Sequence, residues 1–109
     1  MVLNNYKEVK IMKATVAIQV LPATLDSSET VRIVDEVIAY IASSGLHYHV
    51  GPLETTIEGD DYEQLMEIVK NCQLIALRAG CDKVSAYVKI ICRSEGDILS
   101  IDEKIGKYH

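Results

Sequence analysis

The sequence predicts an α+β fold in which strands and helices follow in the order βαββαβ. Three observations carry this prediction: apolar and polar residues alternate in 13–22 and 83–93, two stretches have apolar residues every three or four positions, and two short strand-like segments lie between them. Because each helix has one apolar stripe, both helices should cover one face of a four-stranded antiparallel sheet. Right-handed crossovers then favour the ferredoxin-like arrangement, with strands one and three central.

The first strand and helix have clear boundaries in the sequence. Residues 13–22 alternate between two faces and form the first strand, which Pro22 closes. Asp26 and Glu29 have the spacing of a capping box, which predicts the start of the first helix. Gly45 follows the last apolar position and ends that helix.

The second half of the domain repeats this pattern after a hairpin. Residues 46–52 and 54–59 are predicted to form strands two and three, joined by a tight link. Asp60 or Asp61 caps the second helix, which Gly80 ends.

The fourth strand spans residues 83–93, and a short helix is expected after it. Ser100 and Glu103 have the spacing of a capping box and predict the start of this terminal helix. The predicted apolar face of the fourth strand consists of Val84, Ala86, Val88, Ile90 and Cys92.

The chain has 109 residues, which corresponds to one domain. Residues 1–12 are polar and lack apolar periodicity, so we interpret them as an N-terminal extension or tag, disordered beside a single ferredoxin-like domain at 13–109. The net charge is −5 and the basic residues are scattered, which disfavours nucleic acid as a partner. No apolar run approaches the length of a membrane span, so no membrane partner is expected.

Three cysteines form no zinc or redox motif, and reduced thiols in the cytoplasm are the simplest interpretation. Cys72 lies in the apolar seam of the second helix and Cys92 on the apolar side of the fourth strand, so both are expected in the core. Cys81 follows a helix end and is expected to be exposed. No nucleophile–base pair or phosphate-binding loop is evident, so no catalytic residues and no cofactor are expected.

Function is expected on the sheet face that the helices leave uncovered, the open face. Glu58 on the third strand points to this face, where its carboxylate could accept hydrogen bonds from an amino-heterocycle or pair with Lys89. Gln19 on the neighbouring strand can both donate and accept. The mixed apolar and polar character of the face also favours packing between copies, as a dimer or tetramer, with a small ligand held between sheets.

Two histidines and a tyrosine lie on the second strand. His47 and His49 share one face and resemble a metal-binding pair, but no third ligand has suitable spacing, so a surface pair is favoured and no metal site is assigned. Tyr48 points the other way and either closes the edge of the core or lines the ligand site.

Several segments together resemble the thiamine-binding protein family. They are Val16–Pro22, Gly45–Tyr48 with Pro52, Thr55–Gly59, Ala79–Gly80, Val88–Ile90 with Arg93, and Ser100–Lys104. The resemblance as a whole extends over nearly all of residues 13–107. The resemblance implies a non-catalytic protein that binds thiamine or its hydroxymethylpyrimidine moiety at an interface between sheet faces, for salvage, buffering or delivery. The expected ligand-binding residues are Gln19, Tyr48, His49, Thr55, Thr56, Glu58, Tyr87 and Lys89.

Two other functions remain open at this stage. One is a small-molecule-sensing regulatory or protein-interaction module of ferredoxin-like type. The other is a cofactor-free enzyme of the dimeric ferredoxin-like class, which requires a buried acid or base in a closed cavity. The histidines lie on a predicted edge strand, which disfavours the enzyme.

Overall fold

The computed structural model describes residues 12–108, apart from the side chain of Lys107. Its elements are β1 (Lys13–Pro22), α1 (Ser27–Ser43), β2 (His47–Val50), β3 (Thr55–Gly59), α2 (Tyr62–Arg78), β4 (Val84–Arg93) and α3 (Ile101–Ile105), followed by a 3₁₀ turn at Gly106–Tyr108. The proposed extension lies outside the described residues except for Met12. The carbonyl of Met12 accepts a hydrogen bond from the Tyr62 N–H at 2.9 Å, so this residue is already tied to the start of α2.

The four strands form one antiparallel sheet in the order β2-β3-β1-β4, which confirms the ferredoxin-like prediction. β1 pairs with β3 along Ala14–Ile18 and with β4 along its whole length, from Lys13 opposite Arg93 to Pro22 opposite Val84. β1 therefore lies at the centre, and within the described chain β2 and β4 are the two edges.

The helix boundaries follow the predicted capping signals closely. The Asp26 carboxylate accepts from the Glu29 N–H at 2.9 Å at the start of α1. At the end of this helix Gly45 has a φ of 78°, a left-handed conformation that glycine adopts without strain. Asp61, rather than Asp60, caps α2, because its carboxylate accepts from the Glu63 N–H.

The core lies between α1, α2 and one face of the sheet. Alternate residues of β1 and β3 point into it and are almost fully buried, while each helix contributes its predicted apolar stripe. Its buried members are Ala14, Val16, Ile18, Ile33, Val37, Ile41, Ile57, Leu65, Ile68, Cys72, Ala76 and Cys81. Since α1 and α2 both pack on this face, neither of them covers the opposite face of the sheet.

Two of the three cysteine predictions are wrong. Cys92 is exposed, because the core reaches Val84 and Val88 but not the last residues of the edge strand β4. Cys81 is buried, and its Sγ–H donates to the carbonyl of Ala76 at 3.1 Å. Cys72 is buried as predicted, and this burial raises the pKa of its thiol to about 11.

These environments predict selective modification of the cysteines. In native protein at pH 8, iodoacetamide should alkylate Cys92 within minutes, because only this thiol is exposed. Cys72 should stay unmodified, since its raised pKa keeps the thiol protonated and its burial excludes the reagent. Peptide mass spectrometry before and after unfolding measures both. Alkylation of Cys72 at the rate of Cys92 in the native state would contradict the assigned burial.

Candidate functional site

The open face carries three cross-strand rows of side chains. Thr15 lies between Glu58 and Ile91 in the first row, and His47 extends this row on β2. In the second row Ala17 lies between Thr56 and Lys89, with His49 beyond. Gln19 lies opposite Tyr87 in the third. The polar residues predicted for this face on β1, β3 and β4 are thus brought together, and His47 and His49 of β2 join them.

The C-terminal segment covers one end of this face. The N–H of Ile101, in the first turn of α3, donates to the Glu58 carboxylate at 2.9 Å, and Ile101 is buried. The Nε2 of His47 lies 3.2 Å from the Asp102 carboxylate. The sequence predicted this helix but not that it would pack against β3, so the open face is smaller than expected.

The turn that leads to α3 is held by charged groups at the end of the sheet. The Lys13 ammonium lies 2.6 Å from the Asp97 carboxylate, and Arg93 donates to the Asp97 carbonyl at 3.1 Å. The hydrogen bond from Lys13, together with its charge, lowers the pKa of the Asp97 carboxyl group. Because these groups are exposed, they orient the turn more than they stabilise it.

Thr15 has an unusual environment at the covered end. It is 4% exposed, and its Oγ1 has no hydrogen-bond partner among the described residues. The residue stands opposite Glu58 and lines a cavity that also includes His47 and Ser100. An unpaired buried hydroxyl costs about 1–3 kcal/mol. A water or a polar group of a ligand in this cavity would remove that cost.

The uncovered part of the open face forms a shallow hollow, which we call the sheet hollow. Its floor is made by the small side chains of Ala17 and Thr56. Longer side chains surround this floor: His49, Glu54 and Lys89 line a pocket with Thr56, and Gln19, Tyr87 and Glu58 stand in the adjoining rows of the open face. On one side of this floor the Lys89 ammonium lies 3.1 Å from the Glu54 carboxylate.

Six of the eight predicted ligand-binding residues lie on the open face: Gln19, His49, Thr56, Glu58, Tyr87 and Lys89. The other two lie on the helix-covered side of the sheet, where Thr55 is buried and Tyr48 packs against the core. The predicted alternative pairing of Glu58 with Lys89 does not occur, since Lys89 pairs with Glu54. Glu54, which precedes β3 by one residue, was not among the predicted site residues. Extending the alternation of β3 back by one step would have placed it on the open face.

The sheet hollow carries several hydrogen-bonding and charged groups. It offers an amide, a hydroxyl, two carboxylates, an ammonium and the exposed ring of Tyr87, which is 67% exposed. Such a set matches a small heterocycle with both donors and acceptors on its edge. Among residues 12–108, no three histidine, cysteine or acidic side chains are grouped to hold a metal ion.

No helix within the described range combines the length and apolarity needed to cross a bilayer.

Comparisons with known proteins agree with the fold and extend the resemblance. A UPF0045 protein of Clostridium perfringens is 44% identical over 93 residues, covering 85% of this chain and 94% of that protein. The crystal structure of Streptococcus pneumoniae SP2199 is 40% identical, with a TM-score of 0.73 over 87% of this chain and 99% of the other. A Thermotoga maritima protein described as a candidate in thiamine biosynthesis or salvage is 33% identical, with a TM-score of 0.76. The match covers 89% of this chain and 99% of that protein.

A sequence profile of one family spans almost the whole domain. The profile described as "Thiamine-binding protein" matches residues 16–109. This range includes every described strand and helix except the first three residues of β1. The chain therefore belongs to the thiamine-binding protein family.

Proposed function

We propose that this protein binds thiamine, or its hydroxymethylpyrimidine moiety, in the sheet hollow and without catalysis. The observation that carries the proposal is the family membership over residues 16–109. It is supported by the Thermotoga maritima relative with its thiamine-related description. Binding of this kind serves salvage, buffering or delivery of the vitamin.

The ligand has two parts that the sheet hollow can recognise differently. Its aminopyrimidine edge presents an amino donor beside ring-nitrogen acceptors, which match the Glu58 carboxylate, the Gln19 amide and the Thr56 hydroxyl. Its thiazolium ring carries a permanent positive charge, which the face of Tyr87 can attract. A cation–π contact of this kind contributes about 0.5–2 kcal/mol, depending on desolvation.

Glu58 has two roles in this proposal. One carboxylate oxygen accepts the Ile101 N–H at 2.9 Å, so the side chain is held in place at the border between α3 and the sheet hollow. A carboxylate has about four acceptor sites, so a ligand amino group can share it with α3. The bond to Ile101 thus pre-orients the anchor and lowers the entropy lost when ligand binds.

The arrangement supports binding rather than chemistry. The two histidines lie on the edge strand β2, and the side chain of His47 is half exposed, whereas an enzyme of the dimeric ferredoxin-like class requires a buried acid or base. We therefore propose that the protein has no catalytic residues and uses no cofactor. The three free thiols are consistent with action in the cytoplasm.

A sensing module remains the second candidate, and one contact favours it. Since Glu58 holds α3 and also faces the sheet hollow, a ligand on this carboxylate changes the forces on the C-terminal segment. In that case ligand binding would alter the surface presented by α3 to a partner. The two functions share the site and differ in the consequence of binding.

We further propose that the sheet hollow is closed by the open face of another copy. Exposed Leu21, Tyr87 and Ile91 give this face more apolar surface than solvent contact alone favours. A ligand between two faces would lose most of its solvent contact, as small-molecule sites usually require.

The role of Glu58 can be tested by calorimetry with thiamine and with hydroxymethylpyrimidine. Glu58→Gln keeps an oxygen that accepts the Ile101 N–H but removes the charge, so α3 stays docked while affinity falls by about ten- to a hundredfold. Glu67→Gln is the matched control, since Glu67 lies on α2 away from the site and pairs with Lys70. It should bind like the wild type.

The two ways in which this experiment can fail have different meanings. If ligand-stripped wild type gives no heat with either ligand, the thiamine proposal is wrong and the sensing module for another ligand takes its place. If both ligands bind but Glu58→Gln binds them normally, the function stands and Glu58 is not the anchor.

Closure by a second face predicts a coupled loss. Ala17→Lys places a charged chain on the floor of the sheet hollow, next to Lys89, without changing any core contact. Native mass spectrometry should show loss of the face-to-face assembly and of bound thiamine together. If this variant keeps the wild-type mass and still carries thiamine, the sheet hollow is not the ligand site and the open face is not the interface.

A further inference from the structure

Among the described residues, the sheet hollow holds one lysine, and this lysine already has a partner. The Lys89 ammonium lies 3.1 Å from one oxygen of the Glu54 carboxylate and 3.3 Å from the other, so both oxygens face it. Both side chains reach solvent, and an exposed ion pair of this kind adds little to the stability of a fold. Its main consequence is therefore for the charge that a ligand meets in the sheet hollow.

The turn between β2 and β3 fixes Glu54 in front of this lysine. The N–H of Gly51 donates to the Glu54 carbonyl at 2.9 Å, and a Cβ at position 51 would lie only 3.0 Å from that oxygen, so a glycine permits the close approach. The Glu54 side chain is 35% exposed, whereas that of Lys89 is 75% exposed. Glu54 is therefore the fixed member of the pair, and Lys89 is the more exposed chain that reaches across Ala17 to it.

The charged groups of the sheet hollow give it a net negative charge. Glu54 and Glu58 contribute two carboxylates against the single ammonium of Lys89, with His49 counted as neutral. A thiazolium cation is attracted by this set of charges. A phosphate monoester carries a charge of about −1.5 to −2 at pH 7 and is repelled by it.

Two further cations of the open face, and a backbone donor at its covered end, are also occupied. Lys13 and Arg93 both bond to Asp97 of the turn before α3. The Ile101 N–H donates to the Glu58 carboxylate. Within residues 12–108, each of these donors thus faces an oxygen of the chain itself, so a phosphate group would have to displace a partner in order to bind.

We propose that Glu54 makes the sheet hollow selective for the unphosphorylated ligand, by holding the ammonium that a phosphate ester would need. This inference rests on the proposed function. The alcohol group of thiamine, and that of its hydroxymethylpyrimidine moiety, can each carry a phosphate, so both forms are candidate ligands. Glu54 acts through Lys89 as a specificity-determining residue: its carboxylate neutralises this ammonium and adds to the repulsion of an anionic ligand.

Calorimetry with thiamine and with thiamine monophosphate tests the selection. The wild type should bind thiamine about tenfold or more tightly than the monophosphate. In Glu54→Gln the sheet hollow loses a negative charge and the Lys89 ammonium is released, so affinity for the monophosphate should rise about tenfold. Affinity for thiamine should fall by about threefold or less, because one exposed attraction to the thiazolium is lost.

Two variants separate this role from a structural one. Lys89→Met in the Glu54→Gln background should lose the gained affinity for the monophosphate, because the group that binds the phosphate is absent. Glu67→Gln, on α2 and away from the sheet hollow, changes the net charge by the same amount and should keep the wild-type ratio of the two affinities. Thiamine binding by Glu54→Gln shows that this variant is folded.

Salt dependence tests the same selection in the wild type alone. Because the preference for thiamine is electrostatic and the groups are exposed, it should shrink as the ionic strength rises from about 0.05 to 0.5 M. A preference that does not change with salt comes from the shape of the site and overturns the role of Glu54.

The results that overturn this inference differ from those that overturn the proposed function. If the wild type binds thiamine and its monophosphate equally, or if Glu54→Gln keeps the wild-type ratio, Glu54 does not select the ligand, while thiamine binding stands. If the double variant keeps the gained affinity, the phosphate is not bound by Lys89 and the inference is overturned as well. If neither compound binds to the wild type, the proposed function is wrong and the inference fails with it.

Discussion

The alternation of β1 is the constraint on which the rest of the structure depends. Val16 and Ile18 are buried under the helices, while Ala17 and Gln19, one residue away, line the open face. Since β1 pairs with both β3 and β4, its register fixes which residues of those strands share the open face. A slip of β1 by one residue would place the polar Thr15 and Gln19 in the core and Val16 and Ile18 on the open face. The requirement to bury one face of β1 thus also positions the residues of the proposed ligand site on the other.

Contacts over short sequence distances made most of the fold predictable. Apolar periodicity and capping residues such as Asp26 and Gly45 act within one or two helical turns, so the elements and their order could be read from the chain. The position of α3 could not. Its capping box predicts that a helix starts at Ser100, but the bond that holds it joins residues 43 apart in sequence, Ile101 and Glu58. Local signals carry no information about such a contact.

The same distinction applies to the candidate site. Alternation assigns a residue to one face of the sheet, but it does not determine which groups surround that residue. Period-two alternation was sufficient to assign Gln19, Thr56 and Lys89 to the open face, where they are found. It was not sufficient to predict exposure, because exposure depends on what covers a strand. Alternation treats Cys92 like a core residue, yet the core ends before it. Likewise, the partner of Lys89 is Glu54, which precedes β3, two strands away from β4, so no pattern within β4 predicts this pairing.

Glu58 and Ile90 illustrate how one sheet presents different surfaces on its two faces. Glu58 lies on a central strand, where α3 orients its carboxylate at the border of the sheet hollow. Ile90 lies on the edge strand and on the opposite face, where it is 45% exposed because the core ends before it. Lys89 is next to Ile90 in sequence but lies on the open face, where its ammonium pairs with the Glu54 carboxylate. The pleat of β4 thus separates, between two adjacent residues, a member of the proposed ligand site from an apolar surface on the helix side.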